Sequence, residues 1–294
     1  MKRKLLLGTR GSALARTQSQ WVAEQLLETT GWNTELRIIV TTGDRITDRP
    51  LKEVGGKGLF TKEVEEALLS GEVDYAVHSM KDLPSEMPAG LTLGCIPQRE
   101  DPRDALVGMS LHELSKTHRV GTGSTRRAAL LRSIAPDTQI LGIRGNVDTR
   151  IRKMHEGSYD AIVLAAAGLR RLGRSDEIGS SIPVETMIPA VGQGALAVQC
   201  RESDSEMLRL LSAIHCAKTS QCVMAERAFL REFGGGCSVP AACHAFFRGE
   251  NEVVIYSAWE NNEGKLLRGE QMTTPEAAVQ VATEMAARLL KQNH

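Results

Sequence analysis

Short apolar runs alternate with amphipathic stretches along the first hundred residues, the pattern of a layered α/β fold. Leu5-Leu6-Leu7 reads as a strand, and Ser12 as the N-cap of a helix through Leu27, with Leu14, Trp21, Val22 and Leu26 roughly on one face. Residues 36–40 form the next strand. A polar, glycine-rich connection of 18 residues, 41–58, then precedes a helix over 59–69 and a short strand over 75–77. Connections this long in compact domains are usually functional or disordered, which marks 41–58 as a candidate mobile loop. At Arg99-Glu100-Asp101-Pro102-Arg103-Asp104 the composition turns polar, and we place a domain crossing there.

A second α/β series follows: strand 119–121, helix 124–134, strand 139–142, helix 147–155, strand 161–164 and helix 165–172. Each strand leads into a basic or polar turn. Ligands of open α/β sheets bind at the carboxyl ends of strands, so these turns are where an anion would sit. Residues 188–198 read as a loop and a strand that returns to the first domain. From Lys218 the pattern becomes helix, glycine break, strands near 239–247 and 253–259, and a helix over 275–290, a small α+β domain. The expected division is 1–98 with 195–214, then 99–194, then 215–294.

The chain has 294 residues, 41% apolar and 24% charged, enough for two or three domains and too apolar for disorder. Its longest nearly pure apolar run, 161–169, falls far short of the roughly 20 residues that cross a bilayer. The basic start, Lys2-Arg3-Lys4, is followed by only three leucines, so no export signal is expected. The six cysteines form no C-x-x-C pair, and reduced thiols in a cytoplasmic protein are the expectation. The 36 basic and 36 acidic side chains balance overall. Between Arg119 and Arg174, however, eleven Lys/Arg face four acids, a local excess of +7, and an anionic ligand is expected on this segment.

Three motifs carry candidate chemistry. Gly121-Thr122-Gly123-Ser124-Thr125-Arg126-Arg127 joins a strand to a helix, where backbone N–H groups and paired guanidiniums suit a carboxylate or phosphate. Arg144-Gly145-Asn146 and Arg170-Arg171 punctuate the following units in the same way. None of these is a G-x-G-x-x-G or Walker A loop, and Leu51 replaces the glycine that Gly55-Gly56-Lys57-Gly58 would need upstream. His78-Ser79-Met80-Lys81-Asp82 sets an acid, a base and a hydroxyl after a strand; it is either a polar turn or a site that offsets cationic charge or moves a proton. Gly234-Gly235-Gly236-Cys237 places a thiol on an unhindered turn, as a covalent attachment point, a nucleophile or a buried hydrophobe. Cys216, Cys222, Cys237 and Cys243 lack the tight spacing of structural zinc, and no metal is expected.

Taken together these segments resemble the porphobilinogen deaminase (hydroxymethylbilane synthase) family over nearly the whole chain. The matches include Gly8-Thr9-Arg10-Gly11-Ser12, Val54-Gly55-Gly56-Lys57-Gly58-Leu59-Phe60, His78-Ser79-Met80-Lys81-Asp82, residues 99–104, Arg144-Gly145-Asn146, Pro189-Ala190-Val191-Gly192-Gln193-Gly194 and Gly235-Gly236-Cys237. The resemblance implies two periplasmic-binding-protein-like α/β domains and a small C-terminal α+β domain. It also implies a transferase that condenses four porphobilinogen molecules into hydroxymethylbilane with loss of ammonia, acting as a monomer without nucleic acid or membrane.

By the same resemblance a dipyrromethane cofactor is held as a thioether on Cys237. Asp82 falls at the catalytic aspartate. Ser79, Lys81, Asp82, Thr122, Ser124, Arg126 and Arg127 fall on the cofactor side, and Arg10, Ser12, Arg144, Asn146, Arg150, Arg171 and Gln193 on the substrate side. Lys57 belongs to a lid. The chain departs from the family pattern at Gly123 and Thr125, which removes a hydroxyl at position 123 and leaves the arginines. Two rivals remain at this stage. A non-enzymatic anion binder would leave Cys237 unmodified and tolerate Asp82→Asn. A nucleic-acid binder fits poorly with 4% aromatic content.

Overall fold

The first strand, β1 (Leu5–Arg10), is buried along most of its length, as a strand with neighbours on both edges requires. The protein, a computed structural model, is described over residues 3–45, 59–84, 86–235 and 239–292. Helix α1 (Ala13–Thr30) begins at Ser12, whose hydroxyl accepts from the Ala15 amide, and ends at Gly31 with φ 70°. Val22 and Leu26 face the core as the periodicity predicts, together with Gln18 and Ser19. β2 (Thr34–Ile39) runs parallel to β1, in register from Leu5↔Thr34 to Arg10↔Ile39. A single helical turn, Thr42–Arg45, and α2 (Lys62–Leu69) come before and after residues 46–58 in the sequence. β3 (Tyr75–Ser79) is parallel to β1 and passes into a tight turn, Met80–Asp82. β4 (Leu91–Cys95) follows.

The next stretch starts on β5 (Asp104–Val107), buried at all four positions. It continues through β6 (Arg119–Gly121), α3 (Thr125–Ile134), β7 (Gln139–Leu141), α4 (Val147–His155), β8 (Ala161–Ala165), α5 (Ala166–Arg171) and β9 (Ile178–Ser181). Ser124 caps α3 by accepting from the Arg127 amide, and Asn146 caps α4 by accepting from that of Thr149. The sheet has the order β7-β6-β8-β5-β9. β6, β7 and β8 are parallel, and β5 is antiparallel to both its neighbours.

The chain then returns. β10 (Leu196–Arg201) inserts antiparallel between β3 and β4 and completes the first sheet in the order β2-β1-β3-β10-β4. After α6 (Ser205–Ser212) and α7 (Ala217–Glu232), an antiparallel meander of β11 (Ala241–Phe247), β12 (Val253–Glu260) and β13 (Leu266–Thr273) precedes α8 (Ala278–Lys291). Contacts divide the chain into two compact units, Met1–Arg99 with Ala195–Ser220 and Glu100–Gly194 with Gln221–His294. In the second unit, Leu106, Val120, Leu130 and Ile188 share one apolar cluster with Ala242 and Ala258 of the meander, so the two sheets have a common core. The mixed α/β class and the α+β tail stand as the pattern predicts. Strands β4, β5, β9 and β13 and helix α6 are additions that the pattern does not announce.

Candidate active site

In the first unit the carboxyl ends of β1 and β3 open on a cleft lined by Arg10, Ser12, Gln18, Phe60, His78, Ser79 and Asp82. Four sequence-predicted residues therefore meet in one place: Arg10 ends β1, Ser12 caps α1, Ser79 ends β3, and Asp82 stands exposed on the turn after it. Lys81 lies beside Asp82 on that turn, half-buried. The turn is pinned by the Met80 amide, which donates to the Ala195 carbonyl at 3.0 Å just ahead of β10.

Ser79, His78 and Arg10 are each held by neighbours. Ser79 exchanges hydrogen bonds with the Gln18 amide at 3.0 and 3.2 Å. Buried His78 bonds through Nε2 to Gln199 Oε1 at 3.1 Å, and Gln199 Nε2 donates to Glu65 at 3.3 Å. An amide that gives its N–H to a carboxylate turns its oxygen to the imidazole, so His78 Nε2 carries the proton. Burial pushes this imidazole down to about 4, and it is neutral at physiological pH. The Arg10 guanidinium donates from Nε and Nη2 to Asp44 at 3.3 and 2.5 Å and lies 4.1 Å above the Phe60 ring centroid. Burial opposes charge on Asp44, but Arg10 and the Thr41 hydroxyl outweigh it and hold the carboxyl below its usual range.

In the second unit the segments after β6, β7 and β8 carry Thr122, Ser124, the two arginines that follow, Arg144, Asn146, Arg150 and Arg171, and Gln193 lies between β9 and β10. Arg126 and Arg127 are buried and share Asp104, which is fully buried on β5. Arg126 Nη1 donates to Asp104 Oδ2 at 2.7 Å and to the Ile188 carbonyl at 2.7 Å. Arg127 Nε donates to Asp104 Oδ1 at 2.9 Å, with further bonds to the Val163 carbonyl and Gln193 Oε1. Gln193 Nε2 closes the network on Asp104 and the Pro102 carbonyl. Desolvation works against a charged Asp104, yet the two guanidiniums prevail and keep its carboxyl well below the carboxylate range.

Thr122, buried, accepts from the Ser124 amide at 3.2 Å, so both hydroxyls organise the start of α3. Arg150 Nε donates to the Gly145 carbonyl and Arg171 Nη2 to that of Gly194. Burial pulls both guanidiniums down to about 10, helped at Arg150 by the positive charges of Arg127 and Arg144. Arg144 and Asn146 are exposed.

The local charge excess is smaller than the sequence count implies. Acids from outside the 119–174 segment meet Arg126 and Arg127 (Asp104), Arg132 (Glu260), Arg170 (Asp101) and Arg174 (Glu177). Among the described residues no carboxylate pairs with Arg150 or Arg171, which bond to carbonyls. Cys237, Lys57 and residues 46–58 of the long connection lie outside the described residues. Gln18, Asp44, Phe60, His78 and Asp104 are site residues without an assigned role in the sequence reading. Gln18 had a signal: it is the polar member of the 18–22–26 stripe. Asp44 and Asp104 had none, because their partners are distant in sequence. Among the described residues no group of His, Cys, Asp and Glu side chains suits a metal ion, and no helix is long and apolar enough to cross a membrane.

Comparison with known proteins adds an independent line. Residues 5–209 match the family model described as porphobilinogen deaminase, dipyromethane cofactor binding domain, and residues 220–291 match its C-terminal domain. A porphobilinogen deaminase of Bacillus subtilis (strain 168) is 48% identical over 278 residues, 93% of this chain and 88% of the relative. One from Syntrophotalea carbinolica is 49% identical over 292 residues, 97% of this chain and 92% of the relative. Among solved structures, the periplasmic VFT2 domain of Bordetella pertussis BvgS is similar over 76% of this chain and 92% of its own, at 14% identity and a TM-score of 0.41.

Proposed function

The chain belongs to the porphobilinogen deaminase family, and from that premise we propose how its residues divide the work of assembling hydroxymethylbilane. The enzyme joins four porphobilinogen molecules head to tail, releasing ammonia at each joining, in tetrapyrrole biosynthesis. Its cofactor is dipyrromethane, which when bound supplies the pyrrole end that the growing chain extends.

The residues present fit that group. A dipyrromethane carries carboxylates, and the chain offers guanidiniums and hydroxyls rather than further acids. The buried cluster sets two guanidiniums against one carboxylate, and Arg126 Nε has no hydrogen-bond partner among the described residues. In this reading Cys237 holds the cofactor as a thioether, and Ser79, Lys81, Thr122, Ser124, Arg126 and Arg127 bind its acidic side chains. Arg10, Ser12, Arg144, Asn146, Arg150, Arg171 and Gln193 serve the incoming substrate and the lengthening product, with Arg150 and Arg171 contributing charge that, among the described residues, no carboxylate takes up in an ion pair. Lys57 acts from a lid. We also take the enzyme to be a cytoplasmic monomer that needs neither membrane nor nucleic acid.

The observation that carries the assignment is the cavity that gathers Asp82 with Arg10, Ser12 and Ser79. As ammonia leaves, positive charge spreads over the pyrrole of the substrate. A fixed carboxylate at Asp82 lowers the energy of that charge and holds the pyrrole N–H by accepting from it. The neutral state of His78 keeps a competing cation out of the same cavity. The test is the intact mass of the denatured protein with peptide mapping around Cys237, before and after incubation with porphobilinogen. An increment of two porphobilinogen units less two ammonia on Cys237, with release of hydroxymethylbilane, is expected. A mass that equals that of the bare sequence both before and after exposure to porphobilinogen rejects the assignment.

A further inference from the structure

Arg10 is constrained on one edge and one face of its guanidinium. The side edge of its guanidinium, Nε and Nη2, is taken by the Asp44 carboxylate, and one face lies on the Phe60 ring at 4.1 Å. Asp44 is itself fixed by the Thr41 hydroxyl, which donates to Oδ2 at 2.8 Å. What remains is the end edge, Nη1 with the second hydrogen of Nη2. Among the described residues Nη1 donates no hydrogen bond, while Arg10 lines the cavity that holds Ser79 and Asp82. A guanidinium end edge is a two-pronged donor whose spacing matches the two oxygens of a carboxylate.

We propose that Asp44 and Phe60 are positioning residues that fix the Arg10 guanidinium so that its end edge receives one substrate carboxylate within reach of Asp82. The inference rests on the proposed function, since porphobilinogen supplies the carboxylate. Left alone, an arginine side chain samples many rotamers, and a carboxylate that binds it would have to order it first. Here that ordering is already done by a side-on ion pair and by a ring beneath the plane. The arrangement also sets specificity: an anion gripped end-on in the plane of the guanidinium presents its carbon skeleton in one direction only.

The test is a steady-state comparison with porphobilinogen of wild type, Asp44→Ala, Asp44→Asn, Phe60→Leu, Arg10→Lys and the double variant Asp44→Ala/Arg10→Lys, with urea midpoints for each. Asp44→Ala should raise KM about tenfold with kcat changed less than about twofold, because what is lost is orientation of a binding group. Asp44→Asn should lie between it and wild type, since the amide oxygen keeps one acceptor, and Phe60→Leu should raise KM about threefold. The discriminating number is the double variant. A lysine at position 10 has no side edge to hold, so adding Asp44→Ala should change KM less than about twofold. A KM unchanged in Asp44→Ala, a loss confined to kcat, or effects that multiply in the double variant would overturn the proposal. If Asp44→Ala does not fold, Asp44→Asn and Phe60→Leu decide on the same criteria. A wild-type protein that binds no porphobilinogen fails at an earlier point and rejects the proposed function itself.

Discussion

At the scale of single residues, two aspartates of opposite surroundings invite opposite tests. Asp82 is exposed on its turn, so nothing in the packing depends on its charge. Asp82→Asn should leave the urea midpoint within experimental scatter and lower kcat on the order of 10²-fold, the usual loss when a group facing transition-state charge is removed. Kinetics and denaturation on the same preparation check both halves. Asp104 is fully buried between two guanidiniums. Asp104→Asn would leave two buried cations without their counterion and should cost on the order of 3–5 kcal/mol, measured by urea unfolding at pH 7. The pH dependence follows from the depressed carboxyl. Its contribution is present above the unfolded carboxylate value of about 3.9 and is lost as pH falls below that toward the folded value. Wild type should therefore lose stability steeply below about pH 4, and the Asn variant less so.

At the scale of elements, a residue proposed for the substrate side has a separate role in local structure. Asn146 caps α4 with its side-chain oxygen at 2.9 Å from the Thr149 amide. Asn146→Ala should cost about 1 kcal/mol of stability and Asn146→Gly only a few tenths, and a thermal-unfolding series separates this capping role from any substrate contact. Helices were legible in the sequence for the same reason: Ser12, Ser124 and Asn146 stand directly before periodic runs and act as caps in the structure. Three of the strands that escaped notice, β5, β9 and β13, lacked their usual marks. β5 opens on a buried aspartate, and β9, Ile178–Ser181, has a single large apolar residue. β13 alternates weakly, with no position fully buried.

The site was readable in part. Turns at the ends of β1, β3 and β6 carried recognisable residues, whereas Asp104 and Asp44 gain meaning only from partners that folding brings to them. The burial of Arg126 and Arg127 was likewise hidden, since an arginine pair at a helix start reads as surface until its counterion is located. Gly194 shows the same limit from the backbone side. Its φ is +87°, and a Cβ there would stand 2.4 Å from the Glu100 carbonyl oxygen, so glycine is required by a neighbour 94 positions away.

At the scale of the whole chain, the first unit is assembled from two separate segments. β10 lies between β3 and β4, so without it β4 loses its hydrogen-bonded neighbour and the turn bearing Asp82 loses the Ala195 carbonyl that pins Met80. A fragment of residues 1–99 should therefore show no cooperative urea transition by circular dichroism, although it contains four of the five strands of that sheet. Recovery of a sharp transition on adding a peptide of residues 195–220 would show that the deficit is the missing strand. A cooperative transition in the fragment alone would show that β10 is dispensable.

The interrupted sheet also sets an order of events during synthesis. A ribosome that adds about 5–20 residues per second makes the first four strands and then spends several seconds on the roughly one hundred residues that precede β10. During that interval the nascent N-terminal sheet, β2-β1-β3, is open along β3 and β4 has no strand to pair with, since the strand that joins them is not yet made. The segment translated first is thus not the first able to finish folding. Its exposed edges are the part of this protein that a chaperone would have most reason to hold.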